Sequence, residues 1–303
     1  MRPEDRTYRT ADGTEIPMRV RLPGAEGVRS LTSSRLLTPS LPRAAVVYLH
    51  GIQSHSGWYE VSSRRMAEAG VAVYQIERRG SGADRSHERG HVDRAETWLA
   101  DVAAAAELAR QETRLPAVHL MGVSWGGKLA LASAANRPDL YRSLILAAPG
   151  IIPRVDLALA AKIRTGRSLL VGSGLRRFPI PLSDPHLFTA NPERLRYIAE
   201  DPLSLRDVTA RFLFESRRLD ALARRAARAV RLPTLVLLAE RDRIINNAAT
   251  RTLIGAMATR RRVVVYPGAS HTLEFEPDPE KYFRDLVAWI VEIEAAGPPP
   301  IIG

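Results

Sequence analysis

Ala117-Val118-His119-Leu120-Met121-Gly122-Val123-Ser124-Trp125-Gly126-Gly127-Lys128-Leu129-Ala130-Leu131-Ala132-Ser133-Ala134-Ala135 decides how this chain is read. An apolar run leads into Gly-x-Ser-x-Gly, and a helix-like stretch follows. Gly-x-Ser-x-Gly alone is a common loop pattern; between a strand and a helix it describes a sharp turn with a serine at its apex. The flanking glycines belong there because a larger neighbour would clash with the strand or the helix. Such a turn pushes the hydroxyl of Ser124 out at the carboxyl end of a sheet, where it can attack a carbonyl. The backbone N–H of Trp125 points toward the same spot.

An alcohol is a poor nucleophile at neutral pH and needs a base. Of the seven histidines, His271 follows a strand-like run, Arg262 to Tyr266, and a turn, Pro267-Gly268-Ala269-Ser270. A closing amphipathic helix, Pro279 to Ala295, comes after it. The imidazole then needs a third group to orient it and to stabilise it once protonated. Asp242 lies just past the apolar strand Thr234 to Ala239 and is the candidate, with Glu240 as its rival two residues earlier. Alone, such a His is usually a solvated loop residue, and such an Asp a turn former or helix cap. Their joint occurrence at strand ends, after the serine turn, favours the chemical reading.

Four stretches carry a resemblance to the serine-hydrolase branch of the α/β-hydrolase superfamily, nearest to monoacylglycerol lipases, lysophospholipases and carboxylesterases of the serine aminopeptidase S33 type. His50-Gly51-Ile52 follows the strand Ala45 to Leu49 and is similar to the family's HG loop. Glu77-Arg78-Arg79-Gly80-Ser81-Gly82 is similar to its D-x-R-G-x-G turn. The serine turn and the Asp242 and His271 loops complete the set, in the order Ser, Asp, His. The chain departs from the pattern in Glu77 for Asp, Ala239 for Gly, and Trp125 where Met or Leu is frequent. The resemblance implies an α/β fold with a mostly parallel eight-stranded sheet, helices on both faces and an inserted helical cap. It also implies an oxyanion hole made by the backbone N–H groups of Ile52 and Trp125, since two donors must meet the oxygen that becomes negative. It implies no cofactor and no metal.

The rest of the sequence agrees. The 303 residues, 45% hydrophobic and 25% charged, suit one domain plus an insertion. With no cysteine, disulfides, thiol catalysis and zinc thiolate sites are excluded. The N-terminus has no apolar core of a signal peptide, so a soluble, cytoplasmic protein is expected. Ala11-Asp12-Gly13-Thr14 predicts a hairpin turn between Asp5–Arg9 and Glu15–Arg21; residues 24–42 read as a loop. Strands at 44–49, 71–76, 117–121 and 143–148 alternate with helices at 58–69, 94–110 and 125–136, the pattern of a parallel sheet covered on both faces. The tail ends in Pro298-Pro299-Pro300.

More than eighty residues separate the strand at 143–148 from the one at 234. That is too long for a crossover and predicts an inserted cap. The division is core 1–149, cap 150–232 and core 233–303. Helical pieces are expected from Leu157 to Thr165, from Pro192 to Glu200, and from Pro202 to about Ala229 with Asp201 as N-cap. Residues 150–232 hold sixteen Arg or Lys against eight Asp or Glu, most of the chain's net charge of +11. A solvated face accounts for this most simply; attraction to an anionic membrane or substrate is the second reading, and nucleic-acid binding is not indicated. Ser86 to His91 reads as a loop, so His87 and His91 receive no metal role. His50, Trp58, Tyr59, Phe178, Phe188 and Phe212 are candidate substrate-binding residues.

These readings converge on hydrolysis of small acyl esters such as monoacylglycerols or lysophospholipids through Ser124, His271 and Asp242. Amide hydrolysis would need a cap carboxylate for a substrate amine, with Glu193, Glu200, Asp207 and Glu215 available. Acyl transfer and a non-catalytic ligand-binding role are also compatible with the sequence. Acyl length, alcohol and oligomeric state have no sequence signature.

Overall fold

A computed structural model describes residues 2–24, 41–155, 159–172 and 174–297. Most of the loop expected over 24–42, residues 157 and 158 of the first cap helix, and the triple-proline tail lie outside the described residues. The strands are β1 (Glu4–Arg9), β2 (Glu15–Arg21), β3 (Ala44–Leu49), β4 (Val71–Ile76), β5 (Val118–Val123), β6 (Tyr141–Ala147), β7 (Arg177–Pro179), β8 (Asp207–Thr209), β9 (Thr234–Ala239) and β10 (Arg261–Tyr266). The helices are α1 (Glu60–Glu68), α2 (Ala95–Thr113), α3 (Trp125–Asn136), α4 (Leu159–Val171), α5 (Pro192–Glu200), α6 (Ala210–Ala229), α7 (Asn247–Gly255) and α8 (Glu280–Ala295).

Eight strands form one sheet in the order β1-β2-β4-β3-β5-β6-β9-β10. The Asp-Gly hairpin β1–β2 is antiparallel and joins β4 antiparallel at the sheet edge. The other six strands run parallel. Every residue of β3, β4, β5 and β9 is buried, which is why these strands read as continuous apolar runs rather than as alternation. From β3 the chain steps to β4 on one side and then returns to β5 on the other. Right-handed crossovers place α1 and α2 on opposite faces, and the carboxyl ends of β3 and β5 flank the point where the winding reverses. Open α/β sheets form their clefts there. The loop at His50 and the turn at Ser124 stand at those two ends.

Between the neighbouring strands β6 and β9 lie α4, a small β7–β8 ribbon, α5 and α6. The long helix starts at Ala210, not at Pro202. Its N-cap is Thr209, whose hydroxyl accepts from Phe212 N. The Asp201 carboxylate is engaged elsewhere: it accepts from Leu203 N, Ser204 Oγ, His55 and the Trp58 indole. Leu205 and Val208 therefore precede the helix, while Phe212, Leu219 and Ala226 lie on its buried face. Among the described residues no helix is long and apolar enough to cross a membrane.

The serine turn leaves no room for side chains on its glycines. A Cβ on Gly126 would lie 2.5 Å from Leu49 O and 2.6 Å from His50 O, and one on Gly122 would meet Gly126 O. Gly126→Ala must push β3 and α3 apart, and it is expected to destabilise the fold by about 2 kcal/mol or more. A urea midpoint equal to that of the parent chain would contradict this packing.

Candidate active site

Ser124 sits between β5 and α3 with φ 52° and ψ −122°, a conformation costly for a residue with a Cβ. Its backbone is fully engaged: N donates to Ala147 O at 2.9 Å, and O accepts from Gly127 N at 2.8 Å and Gly150 N at 2.6 Å. The hydroxyl lies 2.8 Å from Nε2 of His271, whose Nδ1 lies 2.7 Å from Oδ2 of Asp242. The other carboxylate oxygen of Asp242 accepts from Ile244 N and Ile245 N at 2.8 and 3.0 Å. A carboxylate so held accepts from Nδ1, which leaves Nε2 free to take the proton of Ser124. All three side chains are buried. Glu240 is exposed and accepts from Gly268 N at 2.7 Å, so the structure brings Asp242, and not its rival, to the imidazole.

The loop after β3 is fixed by an arginine. Arg78, in the turn after β4, donates to Gly51 O at 3.0 Å, to Ile52 O at 2.8 Å and to Ser81 Oγ at 3.0 Å. Its guanidinium lies 4.7 Å from the Trp125 ring centroid, and burial pushes its pKa down to about 9. With Gly51 O turned to Arg78, the planar trans peptide sends the Ile52 N–H the opposite way. Gly51 itself abuts Ser124: a Cβ there would lie 3.3 Å from Ser124 Cβ. His50 donates from Nδ1 to Gly51 O at 2.8 Å and accepts from Arg78 N at Nε2, 3.1 Å away. Burial lowers its pKa well below the usual value, so it is a neutral brace for this loop. Glu77, where the resemblance expects Asp, reaches the Ser56 hydroxyl at 2.6 Å.

Two unequal spaces adjoin Ser124. The larger, about 380 Å³, is lined mainly by apolar groups, among them Ile52, Pro153, Leu169, Leu182, Leu213 and Ile245. Most of its wall comes from residues 150–232. The smaller, about 10 Å³, is lined by Gly51, Ile52, Gln53, Ser54, Trp58, Tyr59, Phe188, His271 and Thr272. Of the candidate binding residues, Trp58, Tyr59 and Phe188 border this recess. His50, Phe178 and Phe212 border neither space: Phe212 is stacked on Trp125, and the Phe178 ring packs under the Arg164 and Arg176 guanidiniums. Sequence patterns select aromatics, whereas this cavity is built from aliphatic residues of several separate segments.

Gln53 has no signature in the sequence that marks it as a site residue. It is 2% exposed, borders the recess, and has neither Oε1 nor Nε2 hydrogen-bonded among the described residues. An amide buried without partners is costly, and it supplies an NH₂ donor group and an acceptor oxygen beside Ser124. None of the four candidate cap carboxylates borders either space. Glu215 instead accepts from Ala95 N at the start of α2 and pairs with Arg218. His87 bonds Asp84, and His91 bonds Thr209 and Asp93; among the described residues no cluster suited to a metal ion occurs.

Residues 40–278 match the family described as serine aminopeptidase, S33. Over 88% of this chain and 95% of its own length, the monoacylglycerol lipase of Mycolicibacterium smegmatis is 30% identical. Human monoglyceride lipase is 26% identical over 85% of this chain and 87% of its own. A solved soluble variant of the Saccharomyces cerevisiae monoglyceride lipase, in complex with a substrate analogue, superposes with a TM-score of 0.80 over 97% of this chain and 96% of its own, at 18% identity.

The loop that carries His271 continues into Glu274, whose Oε1 accepts from Val61 N and Ser62 N, both at 2.9 Å, at the start of α1. Its Oε2 is buried with no partner among the described residues. Burial raises this carboxyl from 4.5 to about 7. The folded chain thus holds a proton that the unfolded chain gives up. The resulting stabilisation is present below about pH 4.5 and is lost as pH rises through about 7. Urea unfolding of the parent and of Glu274→Gln across this range should show the parent losing ground to the variant as pH rises. A difference independent of pH would mean that the carboxyl titrates normally.

Proposed function

This chain belongs to the serine aminopeptidase S33 family, and we propose that it is a carboxylic ester hydrolase of that family that cleaves monoacylglycerols or similar small acyl esters. The observation that carries this reading is the line Asp242–His271–Ser124 standing between a large apolar cavity and a small recess bordered by Gln53 and His271. In the reaction Ser124 attacks the ester carbonyl while His271 takes its proton, and Asp242 stabilises the imidazolium. The amides of Ile52 and Trp125 receive the oxyanion. His271 then protonates the leaving alcohol, and water releases the acyl group by the same path.

The two spaces assign the two halves of the substrate. The leaving alcohol must lie beside the group that protonates it. His271 borders the recess and not the large cavity, so the alcohol is assigned to the recess side of Ser124, where about 10 Å³ must widen to hold more than a water-sized group, and the acyl chain to the cavity. The unpaired amide of Gln53 fits a hydroxyl-bearing alcohol. In this reading residues 150–232 act as a cap, enclosing the chain and excluding water. Beside the cavity, Ile163, Leu170 and Phe214 are exposed near the arginines of α6. We take this face as the one that meets lipid aggregates or an anionic surface.

An aminopeptidase reading needs a carboxylate at the site for a substrate amine. Among the described residues Asp220 is the one carboxylate lining either space, and it is paired with Lys128 at 2.5 Å and lies 3.4 Å from Arg217. A carboxylate already paired with Lys128 is not left open for a substrate amine.

Against p-nitrophenyl esters and monoacylglycerols, Ser124→Ala should reduce kcat by on the order of 10⁶ while the chain stays folded. Retained turnover would refute the mechanism. Asp242→Asn should lose about 10⁴ in kcat and Glu240→Gln less than about tenfold, because only the first supports the imidazole. Gln53→Ala should raise KM for a monoacylglycerol more than for the p-nitrophenyl ester of the same acid. Equal effects on both would remove Gln53 from alcohol recognition.

A further inference from the structure

Along one wall of the acyl cavity the apolar lining is broken by Lys128, Ser216, Arg217 and Asp220. Lys128 lies on α3, four residues beyond Ser124 and so about 6 Å along the helix, and the other three lie on α6. The ammonium of Lys128 can donate three hydrogen bonds, and three are made: to Asp220 Oδ1 at 2.5 Å, to Ser216 Oγ at 2.9 Å and to Ser216 O at 3.3 Å. The Trp125 indole Nε1, a donor only, also gives its hydrogen to Ser216 Oγ, at 2.9 Å.

A serine hydroxyl has two acceptor lone pairs and one hydrogen. Trp125 and Lys128 occupy both lone pairs, and neither partner can accept in return. The remaining hydrogen finds no acceptor among the described residues, although Ser216 is about nine-tenths buried and borders the cavity. The two donors fix the oxygen in place, and the hydrogen is left for whatever occupies the cavity.

We propose that Ser216 is a specificity-determining residue that donates a hydrogen bond to a neutral oxygen on the acyl part of the substrate, so that the site selects esters of oxygenated acids, with an oxo, hydroxy or second ester group part-way along the chain. The inference rests on the assignment of the large cavity to the acyl half. Lys128 and Trp125 are positioning residues for the hydroxyl: their hydrogen bonds hold its oxygen in place. An unsubstituted alkyl chain would bury the donor without a partner, and that loss is what distinguishes the two substrates.

The test is a positional series: p-nitrophenyl decanoate and its mono-oxo derivatives with the ketone moved from C5 to C9. For each protein, kcat/KM is expressed relative to unsubstituted decanoate, so that a loss of folded enzyme cancels. The wild-type chain should show one maximum along the series, about tenfold or more above decanoate. Ser216→Ala should flatten the profile toward a ratio of one, and Ser216→Thr, which keeps the hydroxyl, should retain the maximum. A flat wild-type profile with decanoate well hydrolysed would overturn the inference and leave the esterase reading standing. A maximum that persists in Ser216→Ala would also overturn it. Hydrolysis of no ester would overturn both.

Discussion

The site depends on a close crossing of two backbones. The turn between β5 and α3 passes so near the end of β3 that Gly126 faces the carbonyls of Leu49 and His50 with no space for a methyl group. Gly51 in turn faces Ser124. This approach brings the loop after β3 against Ser124, although the two follow different strands. It requires Ser124 to hold φ 52°, which the surrounding hydrogen bonds to Ala147, Gly127 and Gly150 enforce. The reversal of winding between β3 and β5 puts the crossing at a cleft rather than inside the sheet.

Around that point, buried polar groups join elements distant in sequence. Arg78 ties the loop after β3 to the Trp125 ring. Asp201 joins the segment before α6 to His55 and Trp58, Glu215 joins α6 to α2, and the Lys128–Asp220 pair joins α6 to α3. Such groups are expensive to bury unless satisfied, so each bond limits where the segment over Ser124 can sit. The cavity wall and the three acid–base groups are thereby positioned against each other. Gln53 and the hydrogen of Ser216 are among the polar groups without a partner in the described residues, and both border space that a substrate would fill.

Much of this is legible in the sequence. The buried strands announce themselves as apolar, β-branched runs, and the Asp-Gly hairpin, α3 and α5 fall where turn and capping chemistry place them. Ser124, Asp242 and His271 stand out by their positions after strands, and the structure brings them into hydrogen-bonding distance. The departures have physical causes. Asp201-Pro202 has the composition of a helix start, and Asp201 does accept from Leu203 N, but β8 intervenes and the helix begins only at Ala210. Of the aromatic residues expected to line the pocket, Phe178 and Phe212 pack into the interior instead. Gln53, Arg78 and Ser216 carry no local signature, since their importance lies in partners present or missing across the fold.

The central claim is that Ser124 is the nucleophile and is activated by His271. Reaction of the folded chain with a fluorophosphonate, followed by peptide mass mapping, tests it most directly. The account predicts one adduct, on Ser124, whose formation slows markedly when His271 is replaced by alanine. An adduct on another residue, or a chain that turns over esters without labelling at Ser124, would contradict it.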